Sequence, residues 1–215
     1  MSLSFPLSAS AFFEKLKLAS FTFPPSRGQE SSTAGSGEII FKDTRPMLWS
    51  VPGATTSDLD FAEFARVRAL VQAIQERQGS FYAYDITKPY PAADPTGSVF
   101  GASTPVVADL SGRYGVKVSG LPPGYVLTTG DYFALNDGTS QMLHEIEEDV
   151  TADGSGVAGF FDVHPKTSLA TEAGQAIVLI KPLVEMAIVP GSIKYQDGSG
   201  PMTRILAFDT IQVRH

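Results

Sequence analysis

The 215-residue sequence contains no cysteine. Disulfide scaffolding, thiolate catalysis and cysteine-ligated zinc are excluded with it. Charge is also scarce. Asp, Glu, Lys and Arg make up 18% of the chain, below the roughly one quarter usual in soluble domains, so some surface is expected to be covered by partner chains. The charge present is acidic: 16 basic against 23 acidic residues give −7 and a pI near 4.9. That balance argues against a bulk electrostatic grip on nucleic acid or anionic lipid. The apolar runs are short. Ala176-Ile177-Val178-Leu179-Ile180 stops at Lys181, whereas a membrane-spanning helix needs roughly 20 residues. Met1-Ser2-Leu3-Ser4-Phe5-Pro6 has neither the basic nor the long apolar region of a secretory signal. Synthesis in the cytoplasm is therefore expected, without a final address. Abundant instead are turn formers, with 20 Gly and 15 Pro.

The patterning is mainly β. Residues 11–23 alternate through Leu16, Leu18, Phe21 and Phe23 opposite Lys15, Lys17 and Thr22, which predicts one half-buried strand ended by Pro24-Pro25. Residues 29–37 are rich in Ser, Thr and Gly and read as a flexible loop or hairpin tip. Strands are expected at 38–42 and 47–51, the second holding the only tryptophan, Trp49. One helix is predicted over 58–78, with Ser57 as N-cap, Asp60 as a capping-box partner and Gly79 at C′. Its apolar stripe is Phe61, Phe64, Val67, Leu70, Val71 and Ile74, and Phe61, Phe64, Leu70 and Ile74 are expected to bury against a sheet. An aromatic strand, 80–84, runs into a proline-broken segment, and residues 92–105 read as a loose linker and domain boundary.

Short strands with turns between them dominate the second half. They are read at 115–119, 131–135, 142–150 with Leu143 and Ile146 in the core, 157–163 and 176–182. Turns are marked by Leu121-Pro122-Pro123-Gly124, Asn136-Asp137-Gly138 and Asp153-Gly154-Ser155-Gly156. The spacing fits a small β-barrel or sandwich. After it come strands through Val184, Met186 and Ile188, through 192–195, and over 203–213, where Ile205, Ala207, Asp209, Ile211 and Val213 alternate, with a turn at 197–201. Pairing of these with the N-terminal strands makes the middle an insertion. The division expected is a domain of residues 1–91 with 184–215, and an inserted domain of residues 92–183.

The search for chemistry assigns no catalytic, cofactor-binding or metal residue. His144, His164 and His215 lack metal spacing. His144 beside Glu145, Glu147 and Glu148 reads either as a metal or acid–base cluster or, preferred, as the solvated face of a strand. Residues 149–156 fail calcium-loop spacing and read as a turn. Asp162-Val163-His164 has no G-x-S-x-G elbow to complete a triad, and no phosphate-cradling glycine motif is present. Arg27-Gly28-Gln29 reads as part of a hairpin tip.

Two stretches resemble the tail proteins of tailed bacteriophages. The first is Met47-Leu48-Trp49-Ser50, a helix ending Val71-Gln72-Ala73-Ile74-Gln75-Glu76-Arg77-Gln78-Gly79, and Ser80-Phe81-Tyr82-Ala83-Tyr84-Asp85. The second is Gly130-Asp131-Tyr132-Phe133, then Glu148-Asp149-Val150-Thr151-Ala152-Asp153-Gly154-Ser155-Gly156, then His164-Pro165. In this order they are similar to distal tail proteins of long non-contractile tails, although Gln78-Gly79 stands where Arg-Gly is usual and His164-Pro165-Lys166 where P-P-L-R is common. The resemblance implies a β-sandwich ring-forming domain with one α-helix, plus an inserted small β-barrel domain, OB- or galectin-like. It also implies a non-enzymatic virion protein at the tail tip, ring-forming and hexameric, contacting the tail tube protein and the tail hub protein. No cofactor, nucleic acid or membrane partner follows. The alternative is a carbohydrate-binding module for host-surface adsorption, which would expose Tyr114, Tyr125, Tyr132 or Phe133 where a core reading buries them. A hydrolase of cell-wall material is the third reading, disfavoured by the missing motifs.

Overall fold

The structure, a computed structural model, describes residues 3–136, 138, 140–200 and 203–214. His215 and the turn residues Asp137 and Pro201 lie outside the described residues. The fold is mainly β with one α-helix and antiparallel sheets. Strand β1 (Leu18–Ser20) leads into two long strands, β2 (Pro25–Thr33) and β3 (Ile39–Thr56). Helix α1 (Phe61–Glu76) and β4 (Phe81–Ala83) follow. Next come β5 (Val106–Ser111), β6 (Gly115–Ser119), β7 (Val126–Leu127), β8 (Tyr132–Asn136), β9 (Gln141–Ile146), β10 (Val150–Thr151), β11 (Ala158–His164) and β12 (Ile177–Val178). The chain continues through β13 (Val184–Ile188), β14 (Lys194–Asp197) and β15 (Arg204–Gln212).

One sheet has the order β1-β3-β15-β13-β4, with β2 also on β3 and β14 also on β15. The other runs β12-β8-β9-β11-β6-β5, and β7 pairs with β10 beside it. Each sheet has its own core. The first holds Phe12, Trp49, Val71, Phe81, Val184 and Phe208. The second holds Val107, Val116, Phe133, Phe161 and Leu179. Tyr132 and Leu143 come from strands of the second sheet but pack in the first core, so the two cores meet there. Ile146, two strand positions further on from His144, lies in the second core.

Residues 11–23 do not form the expected strand. A 3-10 turn at Phe13–Lys15 precedes the short β1. Phe12, Phe13 and Leu16 are all buried, a spacing of one and three that a helical turn satisfies and a pleat does not. Edge-to-face contacts hold it, Phe12 to Phe81 at 4.8 Å and Phe13 to Phe21 at 4.9 Å. Pro25 opens β2 rather than closing a strand. Residues 29–33 belong to β2, so only the turn at Ala34 to Gly37 remains of the expected loop. The two strands expected at 38–42 and 47–51 are one, β3.

Helix α1 is shorter than predicted. Its N-cap is Asp60, not Ser57, and the Asp60 carboxylate accepts the Glu63 N–H at 2.7 Å. The C-terminus is a Schellman arrangement with Gln78, at φ 50°, in the C′ position and Gly79 one place later. Gly79 donates its N–H to the Ile74 carbonyl at 2.8 Å. A side chain at Gly79 would strike the Phe5 ring, 2.4 Å from where its Cβ would stand. The buried stripe is Val67, Val71 and Ile74. Phe64 and Leu70 are half-buried and Phe61 is exposed, so of the four residues expected to bury only Ile74 does so fully.

In the second half, the strand expected over 142–150 breaks after Ile146, where Glu147 donates its N–H to the Asp162 carbonyl and the Asp149 side chain turns to Thr129. The apolar run 176–182 is extended in ladder form only at Ile177–Val178. Lys181 takes φ 45° and donates its N–H to the Pro89 carbonyl. On β15 the buried face is Leu206, Phe208, Thr210 and Gln212, while Ile205, Ala207, Asp209 and Ile211 are half-buried.

Candidate functional site

The sequence candidates for chemistry are placed as follows. His144 is fully buried, stacked on Phe133 at 5.3 Å, with Nδ1 2.7 Å from the Pro165 carbonyl. It is therefore a core residue, not the solvated strand face expected. Glu145 and Glu147 gather instead around His164. Its Nε2 lies 3.1 Å from one Glu145 oxygen and its Nδ1 2.9 Å from a Glu147 oxygen. A carboxylate only accepts, so both contacts are hydrogen bonds together when the ring carries both protons. Neither ring nitrogen is then left for a serine hydroxyl or a metal. Among the described residues no group of three or more acidic or His side chains is disposed to hold a metal ion.

Asp153, from the calcium-like segment, closes a turn. Its Oδ1 accepts the Ser155 hydroxyl and the Ser155 and Val157 N–H groups, and these bonds, the Ser155 hydroxyl first, hold its carboxyl below the usual value. Tyr125, Tyr132 and Phe133 are buried and Tyr114 is exposed. Burial first, then the Asp94 and Asp131 carboxylates, push the Tyr125 phenol up to about 12. Residues 92–105 are tied down. Asp131 accepts the Ala92 and Thr128 N–H groups at 2.8 and 2.9 Å, and buried Asp94 accepts the Phe100 N–H at 2.8 Å. Burial raises the Asp131 carboxyl above its usual value, and those two N–H bonds partly offset the rise.

Among the described residues, the feature left uncovered by the rest of the chain is the ribbon made by β2 and the first part of β3. Its register runs from Pro25 opposite Trp49 to Thr33 opposite Ile39, with irregularities around Gly28. Arg45 lies across Gly28, where a Cβ would come within 2.2 Å of its Cγ, and donates to the Ser26 hydroxyl at 2.7 Å. Gln29 donates to Asp43 at 2.9 Å, and Glu30 stands opposite Lys42. The tip turns through Gly37, at φ 84°, with backbone bonds between Ala34 and Glu38 and between Gly37 and Ala34. Polar pairs thus fix the register, but nothing apolar holds the ribbon. Ile39, Ile40 and Phe41 face Thr33, Ser32 and Ser31 across the ladder. Their exposures are 56%, 56% and 66%. Every residue of β3 from 39 to 46 is exposed, so both faces are open, and among the described residues neither edge of that stretch pairs beyond the ribbon.

The ribbon is anchored at its root. Trp49 is fully buried and its indole N–H donates to the Leu143 carbonyl at 2.7 Å. Its ring meets Tyr132 edge-on at 5.5 Å, and its backbone N–H donates to the Gln212 side chain at 3.2 Å. A rigid root and an open tip describe an arm. The sequence carried the signal for the root in its single tryptophan. The apolar triplet 39–41 reads in sequence only as part of the strand expected at 38–42, since nothing local says that its neighbours are Ser and Thr.

A second surface feature lies on the same sheet. α1 and β14 flank an open surface cavity of about 280 Å³ lined by Phe64, Arg68, Tyr195, Gln196, Asp197 and Arg204. Phe64 meets Tyr195 edge-on at 5.8 Å, and the Arg68 guanidinium lies 5.8 Å from the Tyr195 ring centroid. Sequence reasoning missed this site, because α1 and β14 are far apart in the chain. No protein-family model matches the chain, and no curated protein sequence matches it.

Proposed function

We propose that the protein is a structural component of a bacteriophage tail tip, a homo-oligomeric ring, hexameric by resemblance, that joins the tail tube to the hub within the virion. The observation that carries this reading is the arm. A two-stranded ribbon open on both faces is marginally stable by itself in water. Unpaired strand edges bearing apolar side chains are also a liability that chains cover or blunt. An arm with a firmly packed root and an apolar, unprotected tip is economical only if another subunit covers it. The resemblance of residues 48–182 to distal tail proteins supports the tail assignment, and the low charge content supports a partner-covered surface. In this reading the tail tube protein and the tail hub protein are the neighbours on either side of the ring.

The test is the mass of the assembled species. Native mass spectrometry and light scattering over a concentration series should give one closed oligomer. A variant lacking residues 29–37 should keep the monomer fold, since shortening a surface hairpin is thermodynamically mild, and should assemble less well. A chain that stays monomeric at every concentration would count decisively against the ring.

A further inference from the structure

We propose that the arm of one copy docks on the α1–β14 face of a second copy, with β3 at residues 39–42 laid along the free edge of β14 and Phe41 entering the cavity beside Tyr195. This rests on the ring reading and names its contact.

The first argument is placement. On β3, Ser50 pairs with Ile211 and Thr55 with Ala207, so β3 runs past the Gln212 end of β15 as it enters the arm. On β14, Lys194 pairs with Ala207 and Asp197 with Arg204, so β14 sits at the opposite end of β15. Arm and cavity are therefore at opposite ends of one strand. The arm points away from its own cavity, and only another copy's arm can reach it. A donor patch and an acceptor patch at opposite ends of one subunit define a head-to-tail contact, the kind that generates rings when the rotation closes.

The second argument is fit. β14 pairs on one side only among the described residues, and all four of its residues are exposed. An added strand can take its free N–H and C=O groups, the mode of recognition by strand addition. Within β14 Tyr195 is 45% exposed, and the half-buried Phe64 of α1 meets it. Phe61, Phe64 and Arg68 share one helix stripe, three and four residues apart. A cavity of about 150 Å³ accepts a benzene ring, so the 280 Å³ between α1 and β14 has room for a phenylalanine side chain.

Charge agrees. Asp43 of the arm accepts from Gln29, and Glu30 stands across the ladder from Lys42. Glu38, next to the apolar triplet, enters none of the ion pairs among the described residues, and neither does Arg68 in the cavity wall. Docking brings Glu38 toward Arg68, in a wall where Arg204 is already paired with Asp197.

The absence of cysteine makes the test clean, because no native thiol competes with those introduced. Phe41→Cys with Tyr195→Cys in one chain should give, on mild oxidation of the assembled protein, a ladder of covalent multimers on a non-reducing gel. Either substitution alone should leave single chains. Disulfides need Cα atoms within about 7 Å, so the ladder reports direct apposition. Ile40→Cys with Gln196→Cys is a second pair at exposed or edge positions, and circular dichroism checks the fold of each variant. An oligomer that forms but gives no ladder with either pair overturns the docking and leaves the ring standing. Efficient dimers from Phe41→Cys alone also overturn it, since they mean arm against arm. A wild-type chain that never oligomerises removes both readings.

Discussion

Two hairpins in this molecule have the same backbone and opposite surroundings. β8 and β9 pair over five positions, from Tyr132 opposite Glu145 to Asn136 opposite Gln141. They are buried on both faces, with Phe133 and Ile146 in one core and Tyr132 and Leu143 in the other. β2 and the first part of β3 pair over a longer stretch and are covered on neither face. Backbone hydrogen bonds therefore do not decide how firmly a hairpin is held. In the middle hairpin the side chains bury apolar area on each side, at about 25 cal/mol per Å². In the arm the same pairing leaves Ile39, Ile40 and Phe41 in water. The first hairpin is a structural keystone, and the second is built for something outside its own chain.

The largest expected effect comes from attacking the covered hairpin. Phe133→Ala should cost about 3–5 kcal/mol, the usual range for removing a fully buried aromatic, read from chemical denaturation. A loss below about 1 kcal/mol would mean that the middle core is looser than its burial implies. Next is the joint between the two hairpins. Trp49→Phe keeps a ring in place but leaves the buried Leu143 carbonyl without its indole donor, which should cost about 1–3 kcal/mol.

The turns of the two regions give a smaller contrast, in pH. The turn at residues 153–157 is tied by an ionised carboxylate, whereas backbone bonds alone close the tip at 34–38. Asp153 and Asp149 both titrate below the ordinary carboxylate value when folded, Asp153 held down mainly by the Ser155 hydroxyl and Asp149 by the Thr129 N–H. A depressed folded value means stability that is present above the unfolded value and is lost as pH falls through the folded one. The stability difference between wild type and Asp153→Ala should therefore be full near pH 6 and shrink as the pH falls below the ordinary carboxylate range of about 4. A difference independent of pH would assign the loss to turn geometry rather than charge. The smallest effect belongs to the arm. Phe41→Ala should change monomer stability by no more than about 0.5 kcal/mol, in denaturant at a concentration where the chain is monomeric. A large loss would mean that the arm is packed after all and would erase the contrast.

What the sequence made legible follows the same division. α1 could be read from its apolar stripe, and the middle strands from turn residues at regular spacing, because in both cases burial leaves a periodic trace. β2 left none: Ser26, Gln29, Glu30, Ser31, Ser32 and Thr33 have no apolar alternation, since neither of its faces is buried, so a strand took on the appearance of a loop. On β15, Thr210 and Gln212 are buried polar residues, and Gln212 serves Trp49. That moved the apparent core face by one residue. The cavity between α1 and β14 depends on contacts between residues more than a hundred positions apart, such as Phe64 with Tyr195, which no local pattern encodes.

The order of strands in the first sheet also sets a timetable. β15, the last strand in chain order, lies between β3 and β13, and its partners on β3 are more than 150 residues earlier. All strands of the second sheet lie between residues 106 and 178, so that sheet can close while β15 is still unmade. The root of the arm has two ties: the Trp49 indole bonds Leu143 of the second sheet, and its backbone N–H reaches Gln212 only once β15 is in its slot. During synthesis on the ribosome, the second of these ties can form only after β15 has been made, more than 150 residues after its partners on β3. A chain that still lacks β15 holds its arm by the bond of Trp49 to the second sheet and not by Gln212.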